Sequence, residues 1–301
     1  MPDLPHFFIS APDSSLLYTG HYDPVLVSLS VAVAIFASYA ALLVSQHLAS
    51  TTVMRDKRIW AAVGGLCLGL GIWAMHFVGM LAFSLPCTSG YNARITLFSV
   101  IPSVLACTLA LSIISRPTIS RLQLAMGGLL LGLGTGAMHY AGMAAMQLEG
   151  LIRYDLPLFG LSILVAVALA TLAIWIKFRL QSWDERWSNW IPVLCATVMG
   201  LAVSGMHYTA MAAAYFIREG DAGIVDSHLG ATFLASIVLA AAGVIIVVTL
   251  VATYVARPNA LPFGHSYKII GLLIIGWGVA AWLSAEYYHD SQVDNLYQQE
   301  L

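Results

Sequence analysis

"AMHFVGM", residues 74–80, sets a histidine between two methionines inside a long apolar run, and the pattern returns as "AMHYAGM" at 137–143 and "GMHYTAM" at 205–211. A polar ring in an apolar helix is costly, and intramembrane ionisable residues are functional candidates by default. A lone buried histidine is more often an ordinary packed residue, and methionine is common filler. Three windows, each with Met at −1 and +4 of the His, need a shared reason.

The surroundings define the class. Hydrophobic residues make up 59% of the 301 positions and charged residues 9%, against roughly 25% charged in soluble domains. Apolar runs fall near Val25–Leu48, Ile59–Leu85, Ile95–Ile114, Leu122–Leu148, Leu156–Ile176, Trp190–Ile217, Gly230–Ala256 and Ile269–Ala285. Each is long enough to cross a hydrocarbon layer roughly 30 Å thick as helix. The expected fold is therefore an all-α polytopic membrane protein of about eight transmembrane helices. Its parts are an outer N-terminal tail (1–23), a membrane domain (24–256), and an eighth helix with an outer C-terminal segment (257–301).

Loop charge orients the chain. The odd-numbered connections and their flanks carry Arg55, Lys57, Arg58, Arg116, Arg121, Lys177, Arg179, Arg186, Arg257 and Lys268; the other side carries Arg94, Arg153 and Arg218. Ten against three is a positive-inside bias that puts both termini outside. No basic n-region precedes the first run, so no cleaved signal peptide is expected. The four cysteines form no disulfide framework: Cys87 alone lies in an outer loop, and Cys67, Cys107 and Cys195 fall within spans.

His76, His139 and His207 stand 63 and 68 residues apart, each on the second helix of a hairpin. Such spacing signals copies of one unit, and like-oriented copies are related by an axis along the membrane normal. Three hairpins in a pseudo-threefold bundle, plus two extra helices, are expected. The histidines follow Ile59, Arg121 and Trp190 by 17, 18 and 17 residues, or roughly 26 Å of helix, so they share one depth near the outer face. Gly69, Gly132 and Gly200, seven residues earlier, would line the inward face and let the helices approach.

Met80, Met143 and Met211, at +4, share a face with the histidines. Met75, Met138 and Met206 lie about 100° round the helix, and His21 and His228 lie within reach of that level. Imidazole with thioether is a soft-to-borderline ligand set that favours Cu(I), and haem ligation is also chemically possible. No carboxylate lies in the spans, which argues against Mg, Ca or Mn. Phe77, Tyr140 and Tyr208, next to the histidines, would either gate the site or act as interfacial aromatics.

At the three windows the chain resembles the MHYT domain family of bacterial membrane sensors. That family repeats Met-His-Tyr-Thr, or a close variant, on three membrane helices. "MHFVGM" and "MHYAGM" depart at the Tyr or Thr position, while His and its flanking Met persist. The resemblance runs over roughly residues 20–255. It implies a multi-pass sensor of the bacterial inner membrane that binds copper through motif His and Met and senses a diatomic gas such as O2, CO or NO. It also implies a downstream partner or output domain that makes or degrades cyclic di-GMP, which is not expected within this chain. Neither catalysis nor nucleic-acid binding is expected, since no nucleophile–base set or phosphate loop is visible. Two other readings stay open: a copper or proton transporter or channel, and a haem-binding membrane redox protein.

Overall fold

The computed structural model describes residues 7–10, 12–50, 52–116, 118–180 and 190–218, with parts of 234–247. The chain divides into two compact units, Met1–Thr253 and Tyr254–Leu301. His228, the eighth span and the C-terminal segment lie outside the described residues. Of the seventh span, the helical stretch Leu234–Ile245 is represented.

Among the described residues before 219, the α-helices follow in the order α1 (Pro24–Ser50), α2 (Met54–Leu81), α3 (Ala93–Phe98), α4 (Val100–Ile114), α5 (Arg121–Met143), α6 (Leu156–Leu180) and α7 (Ile191–Ala212). Pro24–Gln46, Met54–Leu81, Ala93–Ile114, Leu156–Arg179 and Ile191–Ala212 are each long and apolar enough to cross a membrane. Helix α5, 23 residues long, falls outside that set because glycines, Thr135 and His139 dilute its apolar residues. The protein is a multi-pass, largely helical membrane protein. Many hydroxyls within these apolar helices are satisfied locally: those of Ser28, Ser38, Thr108, Thr135, Thr171, Thr197 and Thr209 each donate to the carbonyl four residues back.

The six long helices close into a ring, α1–α2–α4–α5–α6–α7 and back to α1, while α2, α5 and α7 also touch one another across the middle. These three inner helices carry the motifs. Each repeat also closes on itself, through short strands absent from the helix-only expectation. Strand β1 (His21–Tyr22) pairs with β2 (Phe83–Ser84), β3 (Ser89–Tyr91) with β4 (Met146–Leu148), and β5 (Leu151–Tyr154) with β6 (Ala214–Ile217), all antiparallel.

The same joint recurs at all three closures. Asp23, Asn92 and Asp155 cap the outer helices with their side chains. Their backbone N–H groups donate to the carbonyls of Ala82, Ala145 and Ala213 at 2.9, 2.8 and 2.8 Å. The expected ends of the motif helices therefore need correction, from Leu85, Leu148 and Ile217 to Leu81, Met143 and Ala212. Residues past the motif are apolar because the ribbons pack on the bundle core, as Met146, Leu148 and Phe216 do, and hydrophobicity alone cannot distinguish that from more helix.

The glycines seven residues before each histidine also face differently from expectation. A Cβ on Gly69 would stand 2.7 Å from the Val104 backbone of α4, one on Gly132 2.7 Å from Val167 of α6, and one on Gly200 2.7 Å from Ile35 of α1. They do not line the axis. They let each inner helix press against the outer helix of the next repeat, and this cyclic contact seals the ring.

Gly132→Ala should cost about 1–3 kcal/mol through overpacking, whereas Gly160→Ala, where a new Cβ meets nothing within 4 Å, should gain about 0.5–1 kcal/mol of helix propensity. Thermal unfolding of the two variants in detergent reads the difference, and equal midpoints would contradict the close contact.

Candidate metal centre

The ring geometry brings the three motif histidines to one point. Their Nδ1 atoms form a nearly equilateral triangle: His76 to His139 at 3.1 Å, His76 to His207 at 3.1 Å, and His139 to His207 at 3.2 Å. The rings stand edge-to-face, with interplanar angles of 80°, 82° and 74°. All three side chains are buried, at 0, 1 and 1% exposure. Among the described residues they form a group able to hold a metal ion.

The orientation of two of the rings is set by glycines of the neighbouring repeat. His76 Nε2 lies against Gly142 of α5, and His207 Nε2 against Gly79 of α2, so closely that a Cβ at either glycine would overlap the ring. These glycines stand three residues after a motif histidine. The backbone freedom of glycine is incidental here, because what matters is the missing side chain. The rings of His76 and His207 thus each sit in a notch of the next inner helix, with Nδ1 turned to the axis; the corresponding position in the third repeat is Ala210.

This arrangement fits a cation. Three neutral imidazoles carry three ring protons on six nitrogens, and all three Nε2 atoms are buried without a hydrogen-bond partner. Protons placed on Nδ1 crowd the triangle, and protons placed on Nε2 leave three Nδ1 lone pairs facing one another. A cation at the centre accepts all three lone pairs at once. With a mean side of 3.1 Å, the distance from a corner to the centre is the side divided by √3, about 1.8 Å, within a few tenths of the 2.0–2.1 Å usual for metal–imidazole bonds.

The six motif methionines are all buried. Met80, Met143 and Met211 lie at the ends of α2, α5 and α7, one turn beyond the rings, and Met75 and Met138 belong to the main core. Met206 packs in a separate small cluster with Ala166 and Ala210. His21 is not gathered into the triad: it lies exposed in β1, opposite Ser84. The reach inferred for His21 assumed a helix end, whereas the ribbon carries the side chain to the surface. The four cysteines are free, and burial first, then Glu149, pushes the Cys87 thiol up from its ordinary value, which keeps it protonated.

The tyrosines after the second and third motif histidines each bond a serine of a neighbouring outer helix. Ser30 and Ser162 donate to the carbonyls of Val27 and Phe159, so the hydroxyls of Tyr208 and Tyr140 donate to Ser30 and Ser162, at 2.7 and 3.0 Å. In the first repeat Phe77 has no hydroxyl. There Trp73 Nε1 instead donates to Ser99 Oγ at 3.1 Å and to Thr96 O at 3.0 Å. Ser30, Ser99 and Ser162 each lie seven residues after Asp23, Asn92 and Asp155, so this second ring of bonds also follows the repeat. The spacing is readable in the sequence once the three caps are recognised.

Residues 69–127 and 132–188 match the MHYT family, described as a bacterial signalling protein N-terminal repeat. The chain is 40% identical over 230 residues to the bifunctional diguanylate cyclase/cyclic di-GMP phosphodiesterase MucR of Pseudomonas aeruginosa, covering 76% of this chain and 33% of that protein. It is 35% identical over 204 residues to the cyclic di-GMP phosphodiesterase NbdA of the same organism, 68% of this chain and 26% of that one. With the signaling protein YkoW of Bacillus subtilis it shares 34% over 200 residues, 66% of this chain and 25% of that one. The chain thus spans a third or less of these curated relatives, and the shared part is the MHYT signalling repeat and not their enzymatic part. No solved structure matches it. The chain belongs to the MHYT family over these residues.

Tyr208→Phe should cost about 0.5–1.5 kcal/mol by removing the bond to Ser30 while leaving the triad in place. Unfolding with metal analysis of the same sample tests this, and a variant that keeps its stability but loses metal would make Tyr208 part of the site.

Proposed function

We propose that this MHYT domain is a sensor module of the bacterial inner membrane that holds one copper ion through His76, His139 and His207 and responds to a diatomic gas (O2, CO or NO) or to the redox state of the metal. The observation that carries the reading is the Nδ1 triangle, with sides of 3.1, 3.1 and 3.2 Å. Copper is favoured over zinc by the thioethers in the same windows, since thioether suits Cu(I). Met80, Met143 and Met211 are the thioethers assigned to the site, with Met75, Met138 and Met206 as reserves. When bound, copper supplies a soft, redox-active centre able to take up a small gas molecule. The protein's part is to hold the Nδ1 atoms in position and exclude water beneath the ribbons.

The other two readings fit less well. Below the triad the same helix faces present Ile72, Thr135 and Val203, then Leu68, Leu131 and Met199, an apolar plug poorly suited to passing ions. Rings whose nitrogens stand 3.1 Å apart leave no room for a macrocycle between them, which disfavours haem. The positive-inside bias supports eight spans with both termini outside and the motif end facing outward, with residues 24–256 as the sensor. The relatives' names support an output concerned with cyclic di-GMP, delivered through a partner or through further domains.

Replacing His76, His139 and His207 together by Leu should abolish copper binding in protein that still folds, and Gly142→Ala should weaken it by displacing the His76 ring. Metal analysis and an absorption spectrum of purified protein make the measurement. Unchanged copper in the triple variant would leave the histidines as packing residues, and a Soret band would replace copper with haem.

A further inference from the structure

The axis on the side of the triad away from the ribbons is not completely filled. A cavity of about 10 Å³ lies one to two turns below the rings, walled in part by Ile72, Thr135 and Val203. These residues stand four positions before His76, His139 and His207, on the same helix faces. A second cavity, of about 20 Å³, lies deeper and is lined by residues from all six long helices, Ala173 and Lys177 of α6 among them. Leu68, Leu131 and Met199, one turn further from each histidine, belong to the walls of both. The two cavities therefore adjoin across these three side chains, on the side of the triad away from the ribbons.

The chemistry of the walls selects what can occupy this space. Roughly 10–15 Å³ suffices for one water, but a buried water needs two to four polar partners, and apolar cavities stay dry and take up xenon. The polar groups here are largely committed. Ser38 Oγ donates to Ala34 O at 2.7 Å, and Lys177 Nζ donates to Ser45 Oγ at 2.7 Å and to Ile114 O at 3.4 Å. The remainder of the wall is hydrocarbon apart from the weakly polar sulfurs of Cys195 and Met199. We propose that the larger axial cavity is an internal binding site for one small apolar molecule of the size class of a diatomic gas. Such a molecule dissolves readily in the surrounding hydrocarbon and would be stored about two to three turns from the rings. Its relevance to sensing rests on the function proposed above; its occupancy does not.

Xenon is the probe. The full chain in detergent is titrated with xenon and followed by 129Xe NMR, and copper is measured in the same samples. The wild type should give a saturable shift. Ala173→Leu, which fills the larger cavity, should lose it, and Leu68→Ala, which widens it, should strengthen it. If Ala173→Leu does not fold, the comparison of Leu68→Ala with the wild type carries the test. The proposal is overturned by a wild type with no saturable shift, by a shift that Ala173→Leu leaves unchanged, or by one that Leu68→Ala does not strengthen. Xenon binding in copper-free protein would keep this site while removing the metal reading, and copper without xenon would do the reverse.

Discussion

Three neutral imidazoles meeting in the buried interior of a helix bundle have too few protons and too few partners to satisfy themselves, and the rest of the structure is organised around that meeting. Each buried unsatisfied nitrogen costs on the order of 1–3 kcal/mol. The cost is tolerable only if the helices are held so firmly that the rings cannot swing out, or if a cation takes their lone pairs. The fold meets the first condition and is suited to the second.

Firmness comes from the way the repeats lock. Within a repeat, an N-cap residue binds the carbonyl just past the motif helix, and a short ribbon covers the joint. Between repeats, a glycine on each inner helix admits the outer helix of the next one. Small residues at such contacts are how helices associate in lipid, where no hydrophobic effect drives them together. The two contacts place each histidine against a partner from another repeat, so the triad exists only when all three repeats are closed. A cyclic arrangement of this kind can carry a change at the centre to the ends of the helices, as a signalling domain requires.

The first repeat shows how tightly the scheme is kept. Where the second and third repeats use tyrosine to reach a serine on the outer helix, the first has Phe77, and Trp73 takes over from one turn earlier. The bond is preserved although its donor has moved. This explains why Phe is accepted at a position where the other two motifs carry Tyr: the residue is an anchor for the outer helix, on the side of the ring away from the triad.

The class of protein, the three hairpins, their common orientation and the common depth of the histidines were all legible in the sequence. They follow from hydrophobicity, loop charge and spacing, which are properties of residues taken in order along the chain. The ribbons were not legible, because Phe83, Met146 and Phe216 are as apolar as the helices they follow, and pairing depends on a strand far away in the chain. The facing of the glycines was also hidden. Position −7 lies only about 20° from the histidine on an ideal helix, and which neighbour fills that direction is settled by how the ring closes. For the same reason the sequence brought His21 within reach of the site, whereas the ribbon turns it to the surface. Distances along a helix are determined by the chain itself; the partner across a gap is decided only by the packed bundle, because it depends on residues from all three repeats at once.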